Sequence, residues 1–392
     1  MTRAAVSWLS ASVLFLILAS TGKAAGLGDN LKVLYEFDTL GMPEINSAAT
    51  GNDGTPGNLI VSDVEKRIGA GSADFGTGEP RPTKAYLVVD PADVAALSPG
   101  VKGSFTTSYW WKPTTGGPPD DNGRQQSFWA SADDPNLPIV KPGSWPPFPQ
   151  TALSYIQGGV MHNLFRDAGL SRAAEASDDV TVSPNFFDGS WHHIAETYVV
   201  DTTLVVDDVP APMKLFSRFL DGQPAGTASS AEPDVVRGWV MQNMILGQQY
   251  DDAPLGNSAV QDLDGYLDDF AVWSRTLTNQ EILDIYNGGL LGNGIADLIG
   301  TVVLPGDVNF DGVVNIFDIN LVSSHWGEGG PMGDANGDST VNIFDINLIS
   351  ANWTPTGSTS VPEPSTIVLL ALGIVFVPAR LLLGHIRTRN CL

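Results

Sequence analysis

The chain has 392 residues, 44 acidic and 20 basic, for a formal charge of −24. Its length suits two or three domains at roughly 150 residues each, and an apolar content of 43% excludes global disorder. The acidic balance excludes a nucleic-acid binder that works by phosphate neutralisation. The single cysteine, Cys391, excludes internal disulfides and Cys-rich zinc sites, while 42 glycines and 27 prolines suit an all-β chain rich in turns.

The first element in chain order is Arg3, then an apolar run from Val6 to Ala19, then Gly22 and Ala24 as small residues. Residues 1–24 are expected to be a secretory signal peptide, and an uncleaved membrane anchor is the alternative. The run is shorter than the ~20 residues of a spanning helix. From Leu31 to Leu290, short apolar or alternating runs are separated by Gly, Pro, Asn and Asp. Strands are expected at Lys32–Phe37, Ala85–Val89, Phe105–Trp111, Leu153–Gln157, Trp191–Val199, Ser217–Leu220, Met244–Leu246 and Tyr266–Trp273. The spacing predicts an antiparallel sandwich. A helix is expected from Thr278 to Asn287, with Thr278 and Glu281 as a capping box and Gly288 as its stop.

Local phrases in this body then carry a resemblance. They are Leu34-Tyr35-Glu36-Phe37-Asp38, Gly71-Ser72-Ala73-Asp74-Phe75, Asp188-Gly189-Ser190-Trp191-His192-His193, Phe219-Leu220-Asp221-Gly222 and Leu263-Asp264-Gly265-Tyr266-Leu267-Asp268-Asp269-Phe270. In this order they resemble a LamG-like, concanavalin A-like jelly roll, placed at residues 27–290. The resemblance implies a mainly β fold that binds glycans, proteins or calcium, with some relatives that cleave glycans. In some relatives a calcium is held where Asp264 and Asp268 stand; a polar turn and a sheet-edge charge is the alternative. The Glu-x-Asp-x-Glu strand of the glucanase relatives is absent. Glu196 has no acidic residue two positions away, and Asp268 and Asp269, as neighbours, are expected on opposite faces of a strand. His192 and His193 are likewise expected to face opposite ways. Residues 114–150 read as a long insertion with eight prolines between Pro118 and Pro149, carrying Trp129, Trp145 and Phe148. Its aromatics, Trp145 among them, either stack on sugar rings or anchor the loop to the sandwich.

After a linker expected at 291–304, residues 307–326 and 334–353 align at an offset of 27, with 13 of 20 positions identical. Such a repeat means two copies of one structural unit. Asp307, Asn309, Asp311, Asn315 and Asp318 fall at positions 1, 3, 5, 9 and 12 of a loop, as do Asp334, Asn336, Asp338, Asn342 and Asp345. Position 7, Val313 or Thr340, offers a backbone carbonyl. This spacing wraps one chain around one calcium ion, which needs six to eight oxygens. Two calcium ions are therefore expected, each loop followed by a helix near Asp318 or Asp345. Ile319, Leu321 and Val322, with Ile346, Leu348 and Ile349, supply the buried face. No amphipathic helix precedes either loop. A duplicated loop-helix of this kind resembles a dockerin type I module, placed at 305–354. The resemblance implies docking to a cohesin-like partner, with the residues after position 9 helping to select it. Here these are Ile316, Phe317, Ile343 and Phe344; core packing between the loops is the alternative.

A short linker (355–360) leads to Val361-Pro362-Glu363-Pro364, an apolar run from Thr366 to Val377, and Arg380, Arg387 and Arg389. This resembles a PEP-CTERM sorting tail (361–392). It implies recognition by an exosortase-type protease, with the apolar segment in the membrane before processing; a plain anchor is the alternative. The whole reads as an exported cell-surface or extracellular modular binding protein. Its sandwich is expected to bind a glycan or protein, and its repeat to dock to a cohesin-like partner in a calcium-dependent way. A dockerin-borne polysaccharide hydrolase and a structural envelope protein are the alternatives. The first requires two carboxylates converging on one sugar bond.

Overall fold

The computed structural model describes residues 26–76, 85–113, 125–132, 150–157, 160–165, 180–181, 188–201, 203, 205–206, 209–210, 213–230, 241–248, 263–299, 304–309, 312–329, 332–338 and 340–354. The signal segment, Trp145, Phe148, Asp311 and the sorting tail lie outside the described residues. Among those described, no helix is long and apolar enough to cross a membrane.

The strands run, in order, β1 (Leu31–Tyr35), β2 (Thr55–Gly57), β3 (Ile60–Ser62), β4 (Ser72–Asp74), β5 (Tyr86–Val88), β6 (Lys102–Lys112), β7 (Gln125–Ala132), β8 (Gln150–Gln157) and β9 (Val160–Phe165). They continue with β10 (Val180–Thr181), β11 (His192–Asp201), β12 (Val205–Val206), β13 (Val209–Pro210), β14 (Met213–Leu220), β15 (Gln223–Ser230), β16 (Asn243–Leu246) and β17 (Tyr266–Trp273). One sheet has the order β15-β14-β11-β6-β17-β4-β3, with β1 also paired to β17; the other has the order β10-β9-β8-β7-β16-β5-β2. All paired strands in both sheets are antiparallel.

The expected strands all form, and β2–β4, β7, β9, β10, β12, β13 and β15 are additions, of which β7 bears on the reading of the insertion. It was hidden inside the Gly/Pro-rich stretch read as an insertion, and it pairs with both β8 and β16. Trp129 on it is fully buried, so this ring anchors the strand and is not displayed. Between the sheets lies an aromatic core that includes Tyr35, Phe75, Phe105, Tyr109, Trp111, Phe128, Trp129, Tyr198 and Phe270.

The opposite face of the first sheet is covered by two helices, α2 (Asn279–Leu290) and α3 (Ile295–Leu298); a third, α1 (Pro91–Leu97), precedes β6. Thr278 and Glu281 form the expected capping box at the start of α2. The helix does not stop at Gly288, however. It runs through Gly288 and Gly289, where an added Cβ would lie 2.8 Å from Leu298 and 2.4 Å from the Trp110 ring. The glycine pair is there for close packing, and the chain turns at Gly292, which has φ +86°. Ile295 and Leu298 of α3 are buried with Trp273, Ile282 and Ile285, so part of the expected linker belongs to the sandwich.

The repeat adds α4 (Ile316–Ser324) and α5 (Ile343–Ala351). Each begins two residues before the expected start, because the position-9 asparagine is the cap. The Asn315 side chain accepts from Phe317 N at 2.7 Å, and Asn342 from Phe344 N at 2.8 Å. Val308, Val314 and Val322 pack with their 27-residue counterparts Ala335, Val341 and Ile349 into one small core.

Candidate functional site

The repeat is the better-formed candidate. In each loop the carboxylates accept backbone N–H groups from across the loop. Asp307 accepts from Gly312 N at 2.8 Å, and the Asn315 amide donates to the Val313 carbonyl at 3.2 Å. In the second loop Asp338 N donates to Asp334 and Asn336, the Asn336 amide donates to Asp338, and the Asn342 amide donates to the Thr340 carbonyl. The position-12 carboxylates close the loops. Asp318 accepts from Val308, Asn309 and Asn315 N, and Asp345 from Asn336 and Asn342 N. These bonds bring together positions 1 to 12 of each loop; Asp311 falls outside the described residues.

Charge supplies the test of calcium in these loops. Asp307, Asp318, Asp334 and Asp345 are all buried. Residues 304–354 contain no Lys or Arg. Buried charges are paired or coordinate metals, and His325 is the one basic side chain in the repeat's own sequence. Among the described residues no three carboxylates or imidazoles are gathered closely enough to hold a metal by themselves. The amide oxygens of Asn309, Asn336 and Asn342 and the carbonyls of Val313 and Thr340 are therefore needed to complete a shell. All are hard oxygen donors of the kind calcium prefers.

The four apolar side chains next to the caps stay outside the small core. Ile316 and Phe317 are 50% and 63% exposed, and Ile343 and Phe344 are 51% and 62% exposed. The reading as packing between the loops is thus corrected: the helix turns these side chains away from Val322 and Ile349. The sequence reading missed Trp326 and Trp353, also a 27-residue pair, which are 52% and 44% exposed. Their signal was present in the identity of the repeat, where both end on tryptophan.

The sandwich carries a second polar assembly, between its sheets. Glu196 on β11 is fully buried. It accepts from Ser154 (2.6 Å), the Asn163 amide (2.9 Å), Trp129 Nε1 (3.0 Å), Tyr198 (3.1 Å) and Thr107 (3.2 Å). These donors come from both sheets. Its cross-strand neighbour is Arg218 on β14, also fully buried, which lies over Phe216 and donates to the Met161 carbonyl at 3.4 Å. The five contacts to Glu196 are all donors, none a second carboxylate, so the group clamps the sheets together rather than forming an acid pair.

Asp264 and Asp268 do not come together. Asp264 N donates to Gln126 and its carbonyl accepts from Trp111, a residue of the inner core. Asp268 pairs in register with Trp110 on the helix-bearing face and is fully buried. It accepts from Arg67 N (2.8 Å) and Ile68 N (3.0 Å), so it pins the loop after β3. The expectation of opposite faces for Asp268 and Asp269 is also corrected. The ladder shifts between Asp268 and Ala271, and Asp269 has φ +50°, the geometry of a bulge. Asp269 therefore reaches the start of α3 on the same side, accepting from Ile295 N at 2.8 Å. Burial pushes the Asp269 carboxyl up to about 7, aided by nearby Glu36, Asp38 and Asp297. Of the two histidines, His193 is fully buried beside Trp110, with Nε2 2.9 Å from Ser108, and burial lowers it to about 4. Burial also opposes charging of His192, but hydrogen bonds to Asp221 and Asp188 outweigh it and raise the pKa.

Comparison with known proteins agrees with this architecture. Residues 85–283 match the family described as the concanavalin A-like lectin/glucanases superfamily, and residues 305–352 match the dockerin type I domain. The chain is 32% identical to neuronal pentraxin-2 of Homo sapiens over 114 residues, 28% of this chain and 23% of that protein. It is 31% identical to neuronal pentraxin-2 of Cavia porcellus over 138 residues, 34% of this chain and 28% of that protein. The chain thus spans about a quarter of the length of the curated relatives it matches. Among solved structures it is similar to the binding domain of Paraclostridial Mosquitocidal Protein 1, with 13% identity and TM-score 0.43 over 67% of this chain and 53% of that one. It is also similar to the binding domain of botulinum neurotoxin serotype C1, with 9% identity and TM-score 0.44 over the same shares. With the family match covering half its length, the chain belongs to the concanavalin A-like lectin/glucanases superfamily and carries a dockerin type I domain behind that sandwich.

Proposed function

We propose that this is an exported modular binding protein. Its sandwich recognises a glycan or protein ligand, and its repeat, loaded with two calcium ions, docks to a cohesin-like partner. The observation that carries the docking reading is the exposure of Ile316, Phe317, Ile343 and Phe344 in two equivalent copies. Their module has a complete apolar core without them. Large apolar side chains left in water beside ordered helix starts are the kind of anchor that carries binding energy in interfaces. The buried carboxylates of a module without Lys or Arg support the calcium. The N-terminal segment and the Pro-Glu-Pro tail support export and processing by an exosortase-type protease, with passage through a membrane-anchored form.

The test is binding of the full chain to immobilised type I cohesin modules, in calcium and in chelator. The expected result is calcium-dependent binding that the double variant Phe317→Asp, Phe344→Asp loses while its circular dichroism stays unchanged. Equal binding by the variant, or none by the wild type across a cohesin panel, overturns the docking reading. Screening the same chain on a glycan array, and assaying any hit for hydrolysis, separates a lectin-like sandwich from a hydrolase.

A further inference from the structure

The two copies of the repeat close on each other through their ends. Thr354, the residue after Trp353, donates to the Val314 carbonyl through its N at 2.9 Å and its hydroxyl at 3.0 Å. Gly327, the residue after Trp326, donates to the Val341 carbonyl at 2.9 Å. Trp353 is thus held by the backbone at the end that carries Ile316 and Phe317, and Trp326 at the end that carries Ile343 and Phe344. All six side chains are exposed. The ends differ in one respect: the chain leaves the module at Thr354, beside the first pair only. Phe317 is three residues past Val314, so its Cα lies within about 11 Å of Val314 Cα. Beyond Thr354 the sequence reads Pro355-Thr356-Gly357-Ser358-Thr359-Ser360, then Val361-Pro362-Glu363-Pro364, then an apolar run from Ile367 to Val377. Thirteen residues separate Thr354 from Ile367. A flexible tether of that length spans about 20 Å on average, more than the step to Phe317 requires. Charge favours the same return. Residues 304–354 hold seven acidic residues and no Lys or Arg, so the module stays negative with two divalent ions bound. Residues 366–392 hold Arg380, Arg387 and Arg389 and no acidic residue.

We propose that the apolar run Ile367 to Val377 folds back onto Ile316, Phe317 and Trp353, and masks that end of the repeat until the tail is removed or enters a lipid bilayer. Both surfaces are apolar and each gains by leaving water. A short flexible tether holds the run near the patch at an effective concentration in the millimolar range, so a contact too weak to join separate molecules closes within one chain. The Ile343–Phe344 end lies at the other junction and stays open. The full chain then presents one free patch, and the chain without its tail presents two. The masking of a partner rests on the docking reading above; the fold-back contact itself does not.

The single cysteine makes the test selective. In the full chain carrying Cys391→Ser and Leu370→Cys, a benzophenone maleimide is attached at position 370 and irradiated in calcium, over about a tenfold range of protein concentration. Crosslinks are mapped by mass spectrometry. The expected result is crosslinking within one chain to residues 314–318 and Trp353, independent of concentration, lost on adding Phe317→Asp and kept on adding Phe344→Asp. Crosslinks only between chains, crosslinks elsewhere, or an equal response to the two variants overturn the fold-back. The masking is read separately, as calcium-dependent binding to immobilised type I cohesin modules. In the Phe344→Asp chain, ending the sequence at Ser360 should tighten binding at least about fivefold, which corresponds to a patch covered in roughly four molecules of five. In the Phe317→Asp chain the same truncation should change nothing. Equal affinity with and without the tail in Phe344→Asp overturns the masking. No cohesin binding by any of these chains overturns the docking reading, and the crosslinks then decide the fold-back on their own.

Discussion

The two modules are held together in opposite ways. The sandwich places Trp111, Trp129, Tyr109 and their neighbours between two broad sheets, and it keeps the Glu196 carboxylate inside with five donors around it. The repeat buries only small aliphatic side chains at its centre, leaves Phe317, Phe344, Trp326 and Trp353 outside, and buries carboxylates in a segment that contains no Lys or Arg. A core drawn from some 250 residues can stabilise itself and still accommodate a buried, hydrogen-bonded carboxylate. A core of about fifty residues buries far less apolar area, and under the calcium reading a bound ion would add to it.

The strongest break of this contrast is Glu196→Ala. It leaves five buried donors unmatched, so the sandwich should lose about 3–5 kcal/mol in a denaturant titration while the repeat keeps its calcium affinity. A loss below ~1 kcal/mol would mean the cluster around Glu196 is solvated. Chelation should do the reverse. At a calcium concentration about a thousandfold above Kd, the ion contributes roughly 4 kcal/mol to the repeat, so its transition should fall in chelator and recover on adding calcium. A repeat transition indifferent to chelator contradicts it.

The pH response sharpens the picture of the sandwich. His193 titrates near 4 when folded and near 6.5 when unfolded. Between those values the unfolded chain holds the extra proton, so the stability contributed by the neutral ring is fully present above pH 6.5. It is lost as the pH falls towards 4, by about 3 kcal/mol. The difference in stability between wild type and His193→Gln should follow that curve, and a flat difference from pH 7 to 4 would refute it. The smallest effect is at the α2 contact. Gly289→Ala places a methyl group against the Trp110 ring and should cost about 1–3 kcal/mol, seen as a lower melting temperature of the sandwich alone.

Legibility in the sequence followed the distance over which each feature is built. The two ligand-ladder loops and their caps are made by residues no more than eleven positions apart, so spacing alone reveals them. The capping box of α2 is equally local. The Glu196 cluster joins residues from Thr107 to Tyr198 through strand pairings that no local pattern encodes. β7 was concealed because its flanks are rich in Gly and Pro, and the bulge at Asp269 reversed a prediction that assumed regular alternation.

The sequence by itself determined the sandwich class, the two modules and the oxygen ladder of each loop, because alternation, repetition and ligand spacing are properties of neighbours along the chain. Only the tertiary structure decided which side chains face water. It sent Trp129 into the core and Phe317 and Phe344 out of it. Exposure depends on what packs against a residue from elsewhere in the chain, and that is fixed only when the whole core closes.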